Sequence, residues 1–208
     1  MFFERELDAV LPADLPNREA VVAGGAAHLE LIEEANRHFN LTRITSPREA
    51  AIKHVLDSVS PWRLFADAGH VLDAGTGAGF PGIPLALVLP QVRFTLADST
   101  QKKARFVDSV VVSLDLRNAV VVPRRAEELT ADVITARAMA PLSKALDLFA
   151  PALRRGAKLF LYKGPDAGRE IGEAVGSARK LRVEMEITMT YDLPDGAGTR
   201  TIVKVHRA

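Results

Sequence analysis

The residues best placed to do chemistry stand together as Val71-Leu72-Asp73-Ala74-Gly75-Thr76-Gly77-Ala78-Gly79-Phe80-Pro81-Gly82. Glycines 75, 77 and 79 fall at every second position, so the backbone can turn tightly and approach a bound molecule closely. The segment follows an apolar run and opens a helical pattern. In doubly wound sheets that carboxyl edge is where ligands bind. The next apolar run ends in Asp98. A carboxylate there can accept hydrogen bonds from both hydroxyls of a ribose.

Two cofactors compete for this pattern. Gly77-Ala78-Gly79-Phe80-Pro81-Gly82 has the G-x-G-x-x-G spacing of a dinucleotide site, with Asp98 21 residues past Gly77. Pro81 and Pro84 argue against it, because they remove N–H groups from the first helical turn, where a pyrophosphate finds donors. The Tyr-x-x-x-Lys pair of a small dehydrogenase is also missing: Asp166 stands four residues after Tyr162, and Asp195 four after Tyr191. S-adenosylmethionine carries no phosphate and a positive sulfonium, so it asks no anion site of the loop. Asp-x-Gly-x-Gly-x-Gly with an acidic residue on the next strand resembles the first motif of Rossmann-like methyltransferases.

The elements that must hold these residues follow from periodicity. Runs at His70–Asp73, Arg93–Asp98, Ala119–Val122, Asp132–Thr135 and Lys158–Lys163 predict strands, and 84–89, 102–114, 141–153 and 166–179 predict helices. Strand–helix alternation predicts an α/β, doubly wound parallel sheet. Leu181–Tyr191 and Thr199–Val205 flank a turn at 193–198 and predict an antiparallel hairpin closing a seven-stranded sheet. Before residue 66 the pattern is helical. One helix follows Pro16-Asn17, with Val21, Val22, Leu29, Ile32 and Phe39 inward and Gly24-Gly25 weakening its middle. A second follows Ser46-Pro47, with Ile52, Val55, Leu56 and Val59 inward. The expected division is 1–66, an N-terminal helical region, and 67–208, a cofactor-binding catalytic domain, the two forming one compact unit. Trp62 is expected to anchor packing between them.

Among 208 residues, 27 are Lys or Arg and 26 Asp or Glu. Residues 1–60 hold 6 basic and 10 acidic side chains, and 61–208 hold 21 and 16. The near-neutral total therefore conceals an acidic helical part and a basic sheet, a balance that permits an RNA partner with charge local to a cleft. There is no cysteine, which excludes disulfide scaffolds, Cys-ligated zinc, iron–sulfur clusters and thiol nucleophiles. No signal peptide or membrane span is read, and the expected location is the cytoplasm.

Cytosine-C5 methylases need a thiol and are excluded. Amino-group methylases usually carry Asp/Asn-Pro-Pro-aromatic after the fourth strand, where this chain has Thr135-Ala136-Arg137-Ala138-Met139-Ala140-Pro141. Over about residues 20–207 the chain resembles the RsmG (GidB) family, bacterial guanine-N7 methyltransferases of small-subunit ribosomal RNA. The matching pieces are Asn36, Asn40-Leu41-Thr42, residues 53–58 (Lys-His-Val-Leu-Asp-Ser), Asp73 to Pro84, Asp98-Ser99 with Lys102, Arg125-Ala126-Glu127, Ala136-Arg137-Ala138, Lys163-Gly164 and Arg200. Two departures stand out: Ala35 where the family often has tryptophan, and Lys102-Lys103 where Lys-Arg is usual.

The resemblance implies a Rossmann-like class I methyltransferase, and it implies roles. Gly75, Gly77, Gly79 and Phe80 would line the methionine and ribose end of S-adenosylmethionine. Asp98 and Ser99 would face the ribose, and Ala126 and Glu127 the adenine. Arg137 would border both cofactor and target base. Asn40, His54, Asp57 and Arg200 would form an RNA-facing rim. His54 and Asp57, three apart on one helix, are expected to meet. Apart from the resemblance, Arg37, Arg43, Lys53, Lys102, Lys103, Arg105, Arg124, Arg125, Arg137, Lys163 and Arg200 are basic residues able to supply phosphate contacts. The implied partner is 16S ribosomal RNA or the small subunit, engaged by a monomer without metal. Guanine N7 has a free lone pair, so no general base is required. N7 lies in a groove that is deep and narrow in A-form RNA, so the target should be a loop guanine or one drawn from its stack. A small NAD-dependent oxidoreductase and a non-catalytic ribosome-assembly RNA-binding module are the alternatives.

Overall fold

The sheet explains the positions of the glycine turn. The computed structural model describes residues 2–38, 40–44, 46–138 and 140–208. Its strands are β1 (His70–Ala74), β2 (Arg93–Ala97), β3 (Ala119–Val122), β4 (Val133–Arg137), β5 (Lys158–Lys163), β6 (Val183–Leu193) and β7 (Gly198–Arg207). They lie in the order β3-β2-β1-β4-β5-β7-β6. The first five pair in parallel, and β7 runs antiparallel between β5 and β6. Val71, Leu72, Ile134 and Leu159 are fully buried, as strands covered on both faces must be. Strand order reverses at β1, which has β2 on one side and β4 on the other. That switch point opens a crevice at the strands' carboxyl ends, where the glycine turn lies.

The helices are α1 (Phe2–Val10), α2 (Arg18–Asn36), α3 (Pro47–Ala50), α4 (Asp57–Val59), α5 (Gly82–Val88), α6 (Gln101–Ser113), α7 (Leu142–Leu148), α8 (Ala150–Arg154) and α9 (Ala167–Leu181). Leu7, Val21 and Leu29 share one apolar cluster with Val71, Leu85 and Leu96. Trp62 is partly buried against that cluster, and Arg63 stacks over its ring at 4.6 Å.

Four details differ from the periodicity. Helix α1 was not expected; it buries Phe3 and Leu7, one turn apart. Helix α2 runs unbroken through Gly24-Gly25, because the glycines serve close approach. A Cβ on Gly24 would stand 2.8 Å from Leu87 Cδ2, and one on Gly25 3.2 Å from Leu7 Cδ1. The single helix expected over 141–153 is two, parted at Phe149 (φ −96°, ψ 11°) with Pro151 opening α8. Finally, α3 and α4 are joined by a π-helical segment, Ala51–Leu56. The expectations for Phe39 and Met139 fall outside the described residues.

Candidate active site

Asp73, at the end of β1, organises the turn. It is fully buried, and its Oδ2 accepts from Thr76 Oγ1 at 2.6 Å and Gly82 N–H at 2.9 Å. Burial pushes its carboxyl up to about 6 against those two hydrogen bonds. Gly75 and Gly77 take φ of 72° and 62°, a region costly for side chains. Most of the turn's amides are already committed. Gly79 and Phe80 N–H bond Thr76 O, Gly82 N–H bonds Asp73, and Ile83 N–H bonds Gly79 O. Pro84 has none. A pyrophosphate would meet no donors at the start of α5.

Beside the turn, Gly75, Ala97, Asp98, Ser99, Arg124, Arg125, Ala126 and Glu127 line a cleft of about 250 Å³. Asp98 Oδ2 accepts from Gly77 N–H at 3.1 Å and Oδ1 from Thr100 N–H at 2.8 Å. Each oxygen keeps a lone pair for a further donor. A Cβ on Gly77 would have only Gly75 O, at 3.9 Å, nearby. Two carboxylates, Asp98 and Glu127, and two arginines, Arg124 and Arg125, surround room for a ring, and the free lone pairs of Asp98 suit the hydroxyls of a nucleoside. The expected residues Gly75, Asp98, Ser99, Ala126 and Glu127 thus come together.

Gly79 and Phe80 do something else. A Cβ on Gly79 would stand 2.5 Å from Ile83 Cδ1 and 3.0 Å from His28 Cε1. Phe80 is buried, with His28 and His54 each stacked on it at 4.6 Å and Arg137 over its ring at 5.3 Å. His28 Nε2 donates to Ala78 O at 2.7 Å, which fastens α2 to the turn. Burial lowers the pKa of His28 to about 4 and that of His54 to about 3, so both are neutral near pH 7.

A second cavity of about 470 Å³ has a lining that includes His54, Asp57, Arg137, Tyr162, Lys163 and Arg200. Asp57 is fully buried at its floor rather than on a rim. Its Oδ1 accepts from Arg200 Nε at 2.9 Å and Tyr191 OH at 3.0 Å, and its Oδ2 from Arg137 Nη1 at 3.2 Å. His54 does not meet Asp57; its Nε2 pairs with Thr42 Oγ1 at 3.0 Å. The π-helical segment gives Arg137 a further partner. Asp57 N–H bonds Ile52 O, five residues back, whereas Ser60 N–H bonds Leu56 O, four back. A carbonyl is passed over where the spacing changes, and Lys53 O accepts from Arg137 Nη1 at 2.9 Å.

The other expected residues divide. Asn40 is exposed at the loop that Asn36 holds through Leu41 N–H (2.8 Å) and Thr42 O (3.1 Å). Arg37, Arg43, Lys102, Arg105, Arg124 and Arg125 are exposed, and Lys103 is half-buried. Lys53 pairs with Glu49 at 2.7 Å. Lys163 is buried against Glu170 at 2.8 Å and is not a surface phosphate ligand. Sequence reasoning missed His28, Tyr191 and Glu170. His28 follows Val21 by seven and precedes Ile32 by four, so helical spacing placed it inward; Tyr191 and Glu170 reach the site only through long-range packing.

A seven-stranded sheet of this order, a phosphate-free glycine turn and an acidic residue closing β2 define a Rossmann-like class I methyltransferase. The fold is shared with the O-methyltransferase of Bacillus cereus in complex with SAH, at TM-score 0.55 and 17% identity over 87% of this chain and 91% of that one. The family model of GidB, rRNA small subunit methyltransferase G, matches residues 26–193. Ribosomal RNA small subunit methyltransferase G of Solibacter usitatus is 60% identical over 99% of this chain and 100% of its own length. That of Carboxydothermus hydrogenoformans is 37% identical over 85% and 79%. The chain belongs to the rRNA small subunit methyltransferase G (GidB) family.

Proposed function

We propose that the protein methylates N7 of a guanine near the decoding region of 16S ribosomal RNA, as a cytoplasmic monomer acting on the RNA or the small subunit. The observation that carries this reading is a pair of cavities: one lined by Gly75 of the glycine turn, Asp98 and Glu127, the other by Asp57, Arg137, Lys163 and Arg200.

S-adenosylmethionine, when bound, supplies a methyl group on a positively charged sulfur that an unprotonated lone pair can displace. Asp98 would hold the ribose hydroxyls, Glu127 and the backbone at Ala126 the adenine, and the Gly75–Gly77 turn the amino-acid end. Nucleophilic N7 needs no proton removed. The site accords with that: His54 is neutral and stacked, and both oxygens of Asp57 are committed to arginine and tyrosine donors. The chain's contribution is orientation, with Arg137 and Arg200 held by Asp57 to border the base.

The test incubates methyl-labelled cofactor with undermodified small subunits and maps the label by nuclease digestion. Label on one guanine N7 is the expected result. Cofactor and RNA binding with no label on any guanine N7 would instead favour a non-catalytic assembly module.

A further inference from the structure

Lys163 ends β5 with its side chain buried beside the arginine-lined cavity. Its Nζ donates to Glu170 Oε2 at 2.8 Å and to Ala140 O at 3.1 Å. An ammonium carries three hydrogens, and two are placed among the described residues. Glu170 Oε2 also accepts from Leu142 N–H at 2.8 Å, at the start of α7. One carboxylate oxygen therefore fixes the ammonium and ties α7 behind the segment that follows β4. Burial would raise the Glu170 carboxyl, but the bonds from Lys163 and Leu142 outweigh it and hold it below the usual range. Lys163 is thus not a swinging surface lysine. It is a charged donor held in place, with its neighbouring carboxylate offsetting the charge.

We propose that Lys163 is a specificity-determining residue that donates its third hydrogen to O6 of the target guanine. The inference rests on the N7 assignment above. On the edge that carries N7, guanine presents O6 as an acceptor, whereas adenine presents an amino donor. N7 itself must keep its lone pair free for the methyl group, so recognition on that edge falls to the neighbouring atom. A fixed donor accepts O6 and confronts the adenine amino group with a donor–donor clash. Arg137 and Arg200 are turned to Asp57, whereas Lys163, at the end of β5 between the strands that carry them, is turned to Glu170 and Ala140 and lines the same cavity. Pairing with Glu170 keeps the ammonium from opposing the positive charge that the methylated ring acquires.

The experiment uses small subunits reconstituted with guanine or with 2-aminopurine at the target position. The analogue keeps N7 and lacks O6. Wild-type and Lys163→Met proteins are compared, with calorimetric affinity for S-adenosylhomocysteine confirming that the variant keeps its cofactor site. On guanine, Lys163→Met should lower kcat/KM roughly tenfold to a hundredfold, the range for a charged hydrogen bond. On 2-aminopurine the two proteins should be equal. An equal penalty on both bases overturns the proposal and leaves Lys163 a structural tie. Wild-type protein alone gives a second readout: an undiminished rate on 2-aminopurine overturns the proposal whether or not the variant folds. Wild type that binds S-adenosylhomocysteine but never labels guanine N7 overturns the underlying assignment, a result distinct from either.

Discussion

Asp57 Oδ1 accepts a hydrogen bond from Arg200 Nε at 2.9 Å, across 143 positions of the chain. The contact draws the C-terminal hairpin onto the N-terminal helices, and Arg137 joins from β4 on the other carboxylate oxygen. Two partly exposed arginines on one fully buried carboxylate make a charge network whose anion cannot be removed cheaply. Asp57→Asn should destabilise the protein by about 2–4 kcal/mol. That is somewhat under the usual loss for a buried pair, because both arginines reach solvent. Urea unfolding at pH 7 measures it. A change under about 0.5 kcal/mol would mean that water replaces the carboxylate.

Arg200→Ala addresses function rather than folding. Asp57 would keep Arg137 and Tyr191, so the floor of the cavity should persist. Arg200 is not among the residues that line the cleft at Asp98. Turnover on small subunits should fall about tenfold or more while the affinity for S-adenosylhomocysteine changes by less than about threefold, a split expected when transition-state contacts are lost. The reverse pattern would move Arg200 into the cofactor site.

Much of this arrangement was written in local pattern. The strands of the parallel sheet read correctly because each is a short apolar run between turns, and the glycine turn because its spacing is local. The Asp57 network was not legible as such. His54 and Asp57 looked like neighbours on a helix face, but the π-helical segment 51–56 alters the spacing, and His54 turns to Thr42 and Phe80. Tyr191 and Arg200 meet Asp57 only because the β6–β7 hairpin inserts β7 beside β5, a register set by tertiary pairing. Gly24-Gly25 weakened the helical pattern for a related reason: the glycines' value lies in what packs against them, Leu87 and Leu7, which sequence spacing does not reveal.

Asp98→Ala should weaken S-adenosylhomocysteine binding roughly tenfold to a hundredfold, as expected for loss of hydrogen bonds to a charged group. The carboxylate also accepts from Gly77 and Thr100 N–H, so a stability loss of about 1–2 kcal/mol should accompany it. Calorimetric titration together with a denaturation midpoint separates the two effects. Unchanged affinity would contradict the ribose assignment.

Gly82→Ala tests whether the Gly-Phe-Pro-Gly stretch is packing or ligand contact. A Cβ there would collide with Leu96 Cδ2 and stand 2.7 Å from Asp73 Oδ2. Both neighbours are fully buried, and Asp73 is held by the turn itself. Overpacking of that kind costs about 1–3 kcal/mol or more. The variant should lose stability in proportion, while the smaller surviving folded fraction binds cofactor normally. A stable variant with lost binding would place Gly82 against the ligand instead.

Acid should act on the Phe80 stack through its two histidines. Burial lowers His28 to about 4 and His54 to about 3, against 6.5 for the free side chain. Between those values the unfolded chain takes up protons that the folded chain refuses, so stability falls as pH falls. Asp73 has the opposite sign. Its carboxyl is raised to about 6, so between that value and its ordinary 3.8 the folded chain binds a proton that the unfolded chain does not. Two histidines against one aspartate leave about one proton, or about 1 kcal/mol per pH unit, lost between pH 6 and 4.5, and His70, also lowered by burial, adds in the same direction. Asp73→Asn keeps an acceptor for Thr76 and Gly82 but removes the offset, and should steepen that slope by about 1 kcal/mol per pH unit. Urea unfolding from pH 7 to 4.5 on both proteins gives the comparison. Parallel slopes would mean that Asp73 stays ionised in the fold, and a flat wild-type profile that the histidines accept protons without leaving the stack.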